Sequence, residues 1–473
     1  MRTALRVGSG EIAMPSRLRV FSLSFAFCAA SAQALDAGAT RHGLLEAGGH
    51  VASYDVTTFT LPLNAVTETG YPVALAPIDV DGDGDQDVIV VYSQSEVNMG
   101  VPLSILRNDG LGVFADITSS IFPAGARQTF GVNHFLIADF NEDSRDDLFV
   151  GDSGWDSGDF PGQQNVLLLS SGATGFVDAT ATHLPQLADF THSATQGDVN
   201  GDGFLDIFVG NQNGGTPPSG SLTNSYLLLN NGSGSFTRSD LLPAPALDRS
   251  RSCSLLFDAD GDGDPDLLLG SVNGLILFNP GNGDFTSAAT TSFAAPAMVN
   301  TPLMLTAKAL DLNDDGALDL VVTYDDSPLA SFAMQALIND GSGHFTDQTS
   351  TRIPADLAGP ITGTRTFTSN FALCDINGDS FTDILLQNGS FGADQRPILI
   401  NDGAGAFVRQ PASALGEISI YPNTILGRFF PINANGDGRL DIVMYDQRRN
   451  IPEYENFFAL LTSSSRVFSD GFE

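Results

Sequence analysis

One acidic nine-residue pattern, returning seven times, constrains this chain more than any other feature. It appears as DVDGDGDQD from Asp79 and returns as DFNEDSRDD from Asp139, DVNGDGFLD from Asp198, DADGDGDPD from Asp258, DLNDDGALD from Asp311, DINGDSFTD from Asp375 and NANGDGRLD from Asn433. Successive copies start 53 to 64 residues apart. A period of that length marks stacked supersecondary units, none of which can bury its apolar faces alone.

Every copy runs into an apolar segment, such as VIVV after Asp87 or LLLG after Asp266. Between most copies a second landmark appears, an apolar strand leading into a glycine turn and then phenylalanine: ILRNDGLGVF, YLLLNNGSGSF, LILFNPGNGDF, ALINDGSGHF, ILINDGAGAF. Asn-Asp-Gly and Asn-Asn-Gly between apolar runs are hairpin signals. Segments such as HFLIAD and SLLFD supply another strand before the acidic loop. Four short strands per repeat is the build of a propeller blade. The expected fold is all-β, a seven-bladed β-propeller over residues 51–468 with a loop for calcium between the first two strands of each blade. Two segments compete for the strand that closes the ring, YDVTTF from Tyr54 and RVFSD from Arg466.

Side-chain oxygens recur at positions 1, 3, 5 and 9 of the nonapeptide, which hold 22 aspartates and six asparagines, and glycine occupies position 6 in five of seven copies. Ca²⁺ takes about six to eight oxygens at roughly 2.3–2.6 Å, so it suits carboxylates at alternate positions of a tightly curled loop. The expected ligand sets, with position 7 giving its backbone carbonyl, are Asp79, Asp81, Asp83, Asp85 and Asp87; Asp139, Asn141, Asp143, Arg145 and Asp147; Asp198, Asn200, Asp202, Phe204 and Asp206; Asp258, Asp260, Asp262, Asp264 and Asp266. The last three are Asp311, Asn313, Asp315, Ala317 and Asp319; Asp375, Asn377, Asp379, Phe381 and Asp383; and Asn433, Asn435, Asp437, Arg439 and Asp441. Up to seven Ca²⁺ ions follow. Ser144 and Ser380 in place of glycine, and Asn433 in place of the first aspartate, predict weaker second, sixth and seventh loops. An EF-hand is excluded, because its bidentate glutamate at position 12 is replaced here by Val90, Val150, Val209, Leu269, Val322, Leu386 and Met444. Acidic turns that only cap their own backbone do not need four oxygen-bearing positions at once.

These residues resemble the FG-GAP or VCBS repeat family of calcium-binding propellers, which includes the head of integrin α subunits. The resemblance implies calcium loops between the inner two strands of each blade and no single activity, since such repeats serve in adhesins, lectin-like modules, receptors and accessory domains of enzymes.

The formal charge of −35 repels phosphate backbones and anionic lipid, which excludes nucleic acid as an expected partner. From Met14, the expected true start, Arg17 and Arg19 precede a short apolar run, and Ala32-Gln33-Ala34 fits an export cleavage site. Residues 1–34 therefore read as a signal peptide of bacterial export, 35–50 as a linker and 469–473 as a short tail. Phe27 before Cys28 argues against lipoprotein anchoring. No later stretch is apolar enough to span a bilayer as a helix. Cys253 and Cys374 fall at different offsets of different repeats, which points to two buried thiols.

Function is expected on the loops joining the second and third strands, where Trp155, Tyr324, Asp325 and Arg396 were the candidate ligand-binding residues. His134, His192 and Arg251 precede their loops and are expected to fill separate packing or solvent roles. No nucleophile elbow, H-E-x-x-H or His/Cys metal set occurs. The sequence thus predicts no enzyme but a secreted, monomeric binding or adhesion module for an extracellular protein or glycan, with a polysaccharide-active hydrolase or lyase as the alternative.

Overall fold

A computed structural model of the chain describes residues 27–29, 54–60, 70–94, 100–154, 162–172, 175–212, 224–247, 253–326, 331–362, 370–386, 388–390, 398–410, 426–435, 440–446 and 457–463. Among them the strands form seven antiparallel sheets built from four-strand units, together with one small two-stranded sheet. The first unit is typical. Gly70–Ile78 leads through the acidic loop to Asp87–Gln94, then to Ser104–Asn108 and, after the glycine turn, to Phe114–Asp116. Every acidic nonapeptide thus joins the first and second strands of a sheet.

The second strands are buried from end to end, as in Asp147–Asp152, Asp206–Asn211 and Asp266–Gly270. A sheet covered on both faces selects continuous apolar runs over alternation, which explains VIVV and LLLG. Apolar side chains of consecutive sheets share common cores. Phe149 and Leu167 of the second pack with Tyr226 and Leu228 of the third, and Phe208 of the third packs with Leu267 of the fourth. Phe430 and Val443 of the seventh join Leu75 and Ile89 of the first. The molecule is an all-β propeller.

The closing strand is Tyr54–Thr60. It lies antiparallel to Phe457–Ser463 at the outer edge of the seventh sheet, pairing Tyr54 with Ser463 and Thr60 with Phe457. RVFSD lies outside the described residues. Within the segment read as a leader, Phe27–Ala29 runs parallel to His134–Leu136 along the first strand of the second sheet. The described α-helices are four residues long; three of them begin at Thr118, Thr180 and Thr349, whose N–H groups are accepted by Asp116, Asp178 and Asp347.

Candidate metal centres

Each of the first six loops curls around its first residue. In the first, Asp79 Oδ1 accepts from Gly82 N at 2.7 Å and Oδ2 from Gly84 N at 3.1 Å, while Asp83 Oδ1 accepts from Asp85 N at 3.0 Å. Asp139, Asp198, Asp258, Asp311 and Asp375 hold the N–H of position 6 in the same way. This curl needs left-handed backbone at position 6, where Gly84 has φ 92° and Gly263 96°, and Ser144 and Ser380 adopt it too at 67° and 71°. Position 4 needs it as well, a requirement obscured in the sequence by Glu142 and Asp314, both at φ 59°.

Position 9 is the anchor. Asp87, Asp147, Asp206, Asp266, Asp319, Asp383 and Asp441 are all fully buried. In the first loop, Asp87 Oδ2 accepts from Val80 N at 2.9 Å and Oδ1 from Asn108 N, at the end of the third strand, at 2.7 Å. Asp266 repeats this with Ala259 N at 2.9 Å and Asn279 N at 2.8 Å. These carboxylates fix the loop to the third strand irrespective of any ion. Burial, reinforced by the neighbouring carboxylates and opposed by the two N–H donors, pushes the carboxyls of Asp87, Asp266 and Asp383 up to about 7 and those of Asp147 and Asp206 to about 6.

Two of the loops gather carboxylate oxygens that could hold a cation. One carboxylate oxygen each of Asp79, Asp81 and Asp87 lie within 4.8 Å of one another, as do those of Asp258, Asp260 and Asp262. Asp81 Oδ1 is buried with no hydrogen-bond partner, although Arg107 Nη1 stands 3.7 Å from Oδ2. Asn433 Oδ1, at position 1 of the seventh loop, is also buried without one. A buried acceptor without a donor costs about 1–3 kcal/mol, more if charged, and a hard cation satisfies it. Burial and then Asp83 hold the Asp81 carboxyl above its ordinary range; burial and then Asp262 do so for Asp260.

All expected ligand positions of the first six loops are described, whereas Asp437 and Arg439 lie outside the described residues. The position-7 side chains pack over the turn of their own sheet. A Cβ on Gly110 would meet the Asp85 carboxylate at 2.2 Å, one on Gly281 the Asp264 carboxylate at 2.4 Å, and one on Gly232 the Phe204 ring at 2.5 Å. Arg145 departs from this and reaches back, its Nη2 donating to Val80 O of the first loop at 2.7 Å.

Of the expected ligand-binding residues, only Tyr324 and Asp325 are described. Trp155 and Arg396 lie outside the described residues, as does Arg251. Tyr324 is fully buried in the core shared by the fourth and fifth sheets, and Asp325 is 5% exposed, its carboxyl pushed up to about 7 by burial and Asp326. The second strand of the fifth sheet runs on through Asp326, which takes both residues off the recognition surface where the sequence put them. His134 and His192 sit on the first strands of the second and third sheets, each pushed down to about 3 by burial, with Lys308 adding to the effect at His134. Cys253 and Cys374 are free thiols; Cys253 is buried and Cys374 partly so.

The sequence missed the role of the turn asparagine. In the fourth sheet Asn279 Nδ2 donates to Pro265 O of its own loop at 3.1 Å and to Val199 O, position 2 of the preceding loop, at 2.9 Å, while Oδ1 accepts from Gly281 N at 3.0 Å. Asn230 reaches Phe140 O at 2.8 Å, Asn339 reaches Ala259 O at 2.7 Å, and Asn108 reaches Ala434 O of the seventh sheet at 2.7 Å. In the second sheet Ser170 stands in this place, and Arg145 fills the vacated role on Val80 O. Recurrence of Asn before the glycine turn was the available signal; read as hairpin chemistry, it hid a bond between sheets.

The family model for the FG-GAP-like repeat matches residues 79–150, 139–209 and 311–386. No curated protein matches the chain. Among solved structures, the V. cholerae biofilm matrix protein Bap1 aligns with a TM-score of 0.34 and 13% identity, covering 87% of this chain and 70% of that one. Acidic loops joining the first two strands of a sheet lie within each matched stretch, and these stretches of the β-propeller accordingly carry FG-GAP-like repeats.

Proposed function

We propose that the chain is an exported, calcium-stiffened propeller of seven blades that serves as an extracellular binding or adhesion module for a protein or carbohydrate ligand. The observation that carries the cation assignment is the orphaned, buried Oδ1 of Asp81 beside the gathered oxygens of Asp79 and Asp87. Positions 1, 3, 5 and 9 would hold Ca²⁺, with the position-7 carbonyl completing the set; the ion would supply charge neutralisation and a fixed loop shape, not a reaction. Seven sheets sharing cores in succession, with the first and seventh in contact, support a ring of seven blades. Long loops between second and third strands on a sheet scaffold support placing the functional surface there. Among the described residues no helix is long and apolar enough to cross a membrane.

Melting curves in calcium and in chelator test the cation, with a marked rise in calcium and a much smaller one in magnesium as the expected result. Equal melting in calcium and chelator returns these carboxylates to the role of solvated turns. A glycan array run beside a reducing-sugar release assay tests the module: capture without release supports binding, and release of product establishes the hydrolase or lyase reading instead.

A further inference from the structure

We propose that Asn108, Asn230, Asn279 and Asn339 are positioning residues that couple neighbouring cation loops, so that the ions bind cooperatively along the succession of sheets. The proposal rests on the calcium reading above. None of these asparagines is at a ligand position. Each one nevertheless touches two loops at once.

The link runs in both directions through the fourth sheet. The Asn279 N–H donates to Asp266 Oδ1, the anchor of the fourth loop, at 2.8 Å. Its Nδ2 donates to Val199 O of the third loop at 2.9 Å, the carbonyl between Asp198 and Asn200. The turn that Asn279 caps presses on the same loop: a Cβ on Gly283 would lie 3.4 Å from the Asn200 Cβ, and one on Gly201 would lie 3.6 Å from Gly281 O. An ion drawn to the fourth loop would pull on the Asp266 carboxylate and so tighten the Asn279 turn that this carboxylate already holds. That turn then holds the backbone between two ligand positions of the third loop. A site whose backbone is already ordered loses less entropy on binding, which is positive coupling. The unit repeats from fifth to fourth loop through Asn339 and Ala259 O, and from third to second through Asn230 and Phe140 O. Asn108 carries it from the first loop to Ala434 O of the seventh.

The second sheet differs. Ser170 has no amide to donate, and its Oγ turns inward to Asp143 of its own loop at 3.0 Å. Asn279→Ser therefore copies a residue that this fold already accepts at that place.

The test is a calcium titration of the full chain by calorimetry, with melting curves in calcium and in chelator. The expected wild-type isotherm has a Hill coefficient above one. Asn279→Ser should weaken binding at one site by about 5-fold or more, the lower end of ordinary coupling energies, and move the Hill coefficient toward one. It should also shrink the calcium-induced rise in Tm, and it should shrink it less when Asp202→Ala has already disabled the third loop. A merely structural asparagine would lower Tm equally in calcium and in chelator, and that result overturns the proposal, as does a wild-type Hill coefficient of one. Should far-UV circular dichroism show Asn279→Ser unfolded, Asn339→Ser and the wild-type Hill coefficient decide. Absence of any calcium binding by the wild type is a different failure, since it removes the cation reading itself.

Discussion

The second and fourth acidic loops share one backbone and diverge in what holds them. In the fourth, aspartate fills all four side-chain ligand positions, glycine takes the left-handed position 6 at φ 96°, and three carboxylates converge within 4.8 Å. In the second, Asn141 replaces one aspartate and Ser144 carries the left-handed turn at φ 67°. Both carboxylate oxygens of Asp143 accept from Ser170 Oγ, at 3.1 and 3.0 Å, and Arg145 brings a guanidinium where the first, third, fourth, fifth and sixth loops have Asp, Phe or Ala. In the proposed reading, the fourth loop leaves its negative charge to an ion. The second answers part of its own with protein donors. What the two keep in common is position 9, where Asp147 and Asp266 are equally buried. The scaffold therefore depends on the anchor, and in the proposed calcium reading the affinity of each loop is set by its own residues as well as by its neighbour.

The largest expected effect tests the shared part. Asp266→Ala strands the N–H groups of Ala259 and Asn279, and Asp147→Ala those of Phe140 and Ser170. At about 1–3 kcal/mol for each buried donor, either substitution should cost roughly 2–6 kcal/mol in chelator as well as in calcium, read from denaturant unfolding. A loss confined to calcium would show that the anchor acts only through the ion.

Next comes the difference between the loops. A site held at a hundredfold excess over its dissociation constant adds about 2.7 kcal/mol. Asp262→Ala should remove most of one such increment, and so should Asp83→Ala in the first loop, while Asp143→Ala and Asp437→Ala remove less. Equal losses of the calcium-induced rise in Tm would erase the distinction.

A pH series sharpens the comparison. The anchor carboxyls are raised by burial, to about 7 for Asp266 and about 6 for Asp147, against an unfolded value of about 3.9. Their contribution is fully present below the unfolded value and is lost as pH rises through the folded one. In chelator the chain should therefore lose stability between about pH 4 and 7, with the Asp147 share gone first. Calcium should flatten that slope at the aspartate-rich loops, and an identical slope with and without calcium contradicts their role as ligands.

The smallest effect is Ser144→Gly. Relief of a left-handed residue is worth about 1–2 kcal/mol, and glycine's extra backbone freedom offsets about 0.5–1 of it. A gain of up to about 1 kcal/mol is expected, together with tighter calcium binding by the second loop. A loss of stability would mean that Ser144 holds the turn by a contact of its own.

These contrasts also mark what could be read from the letters. The repeat and its apolar second strands were legible because they depend on spacing along the chain and on burial of both sheet faces. The asparagine link was not, since Asn230 and Phe140 meet only across two sheets. Tyr324 and Asp325 were misplaced because Asp-Asp looks like a turn, while the strand beneath it runs on and buries both. Arg145 was taken for the donor of a carbonyl, and its side chain turned out to serve the loop before it. The choice between Tyr54 and Arg466 for the last strand was undecidable by pattern, as both are short strand-like runs at a chain end.

The choice of Tyr54–Thr60 sets a schedule for folding. This segment is made long before its partner Phe457–Ser463. Until that partner emerges, the seventh sheet cannot be finished. Contacts so distant in sequence are slow to form, so the final event should be this pairing, with a rate set by the meeting of the two ends. Moving the chain termini into another connection would convert that late encounter into a local hairpin and should speed assembly without altering any acidic loop.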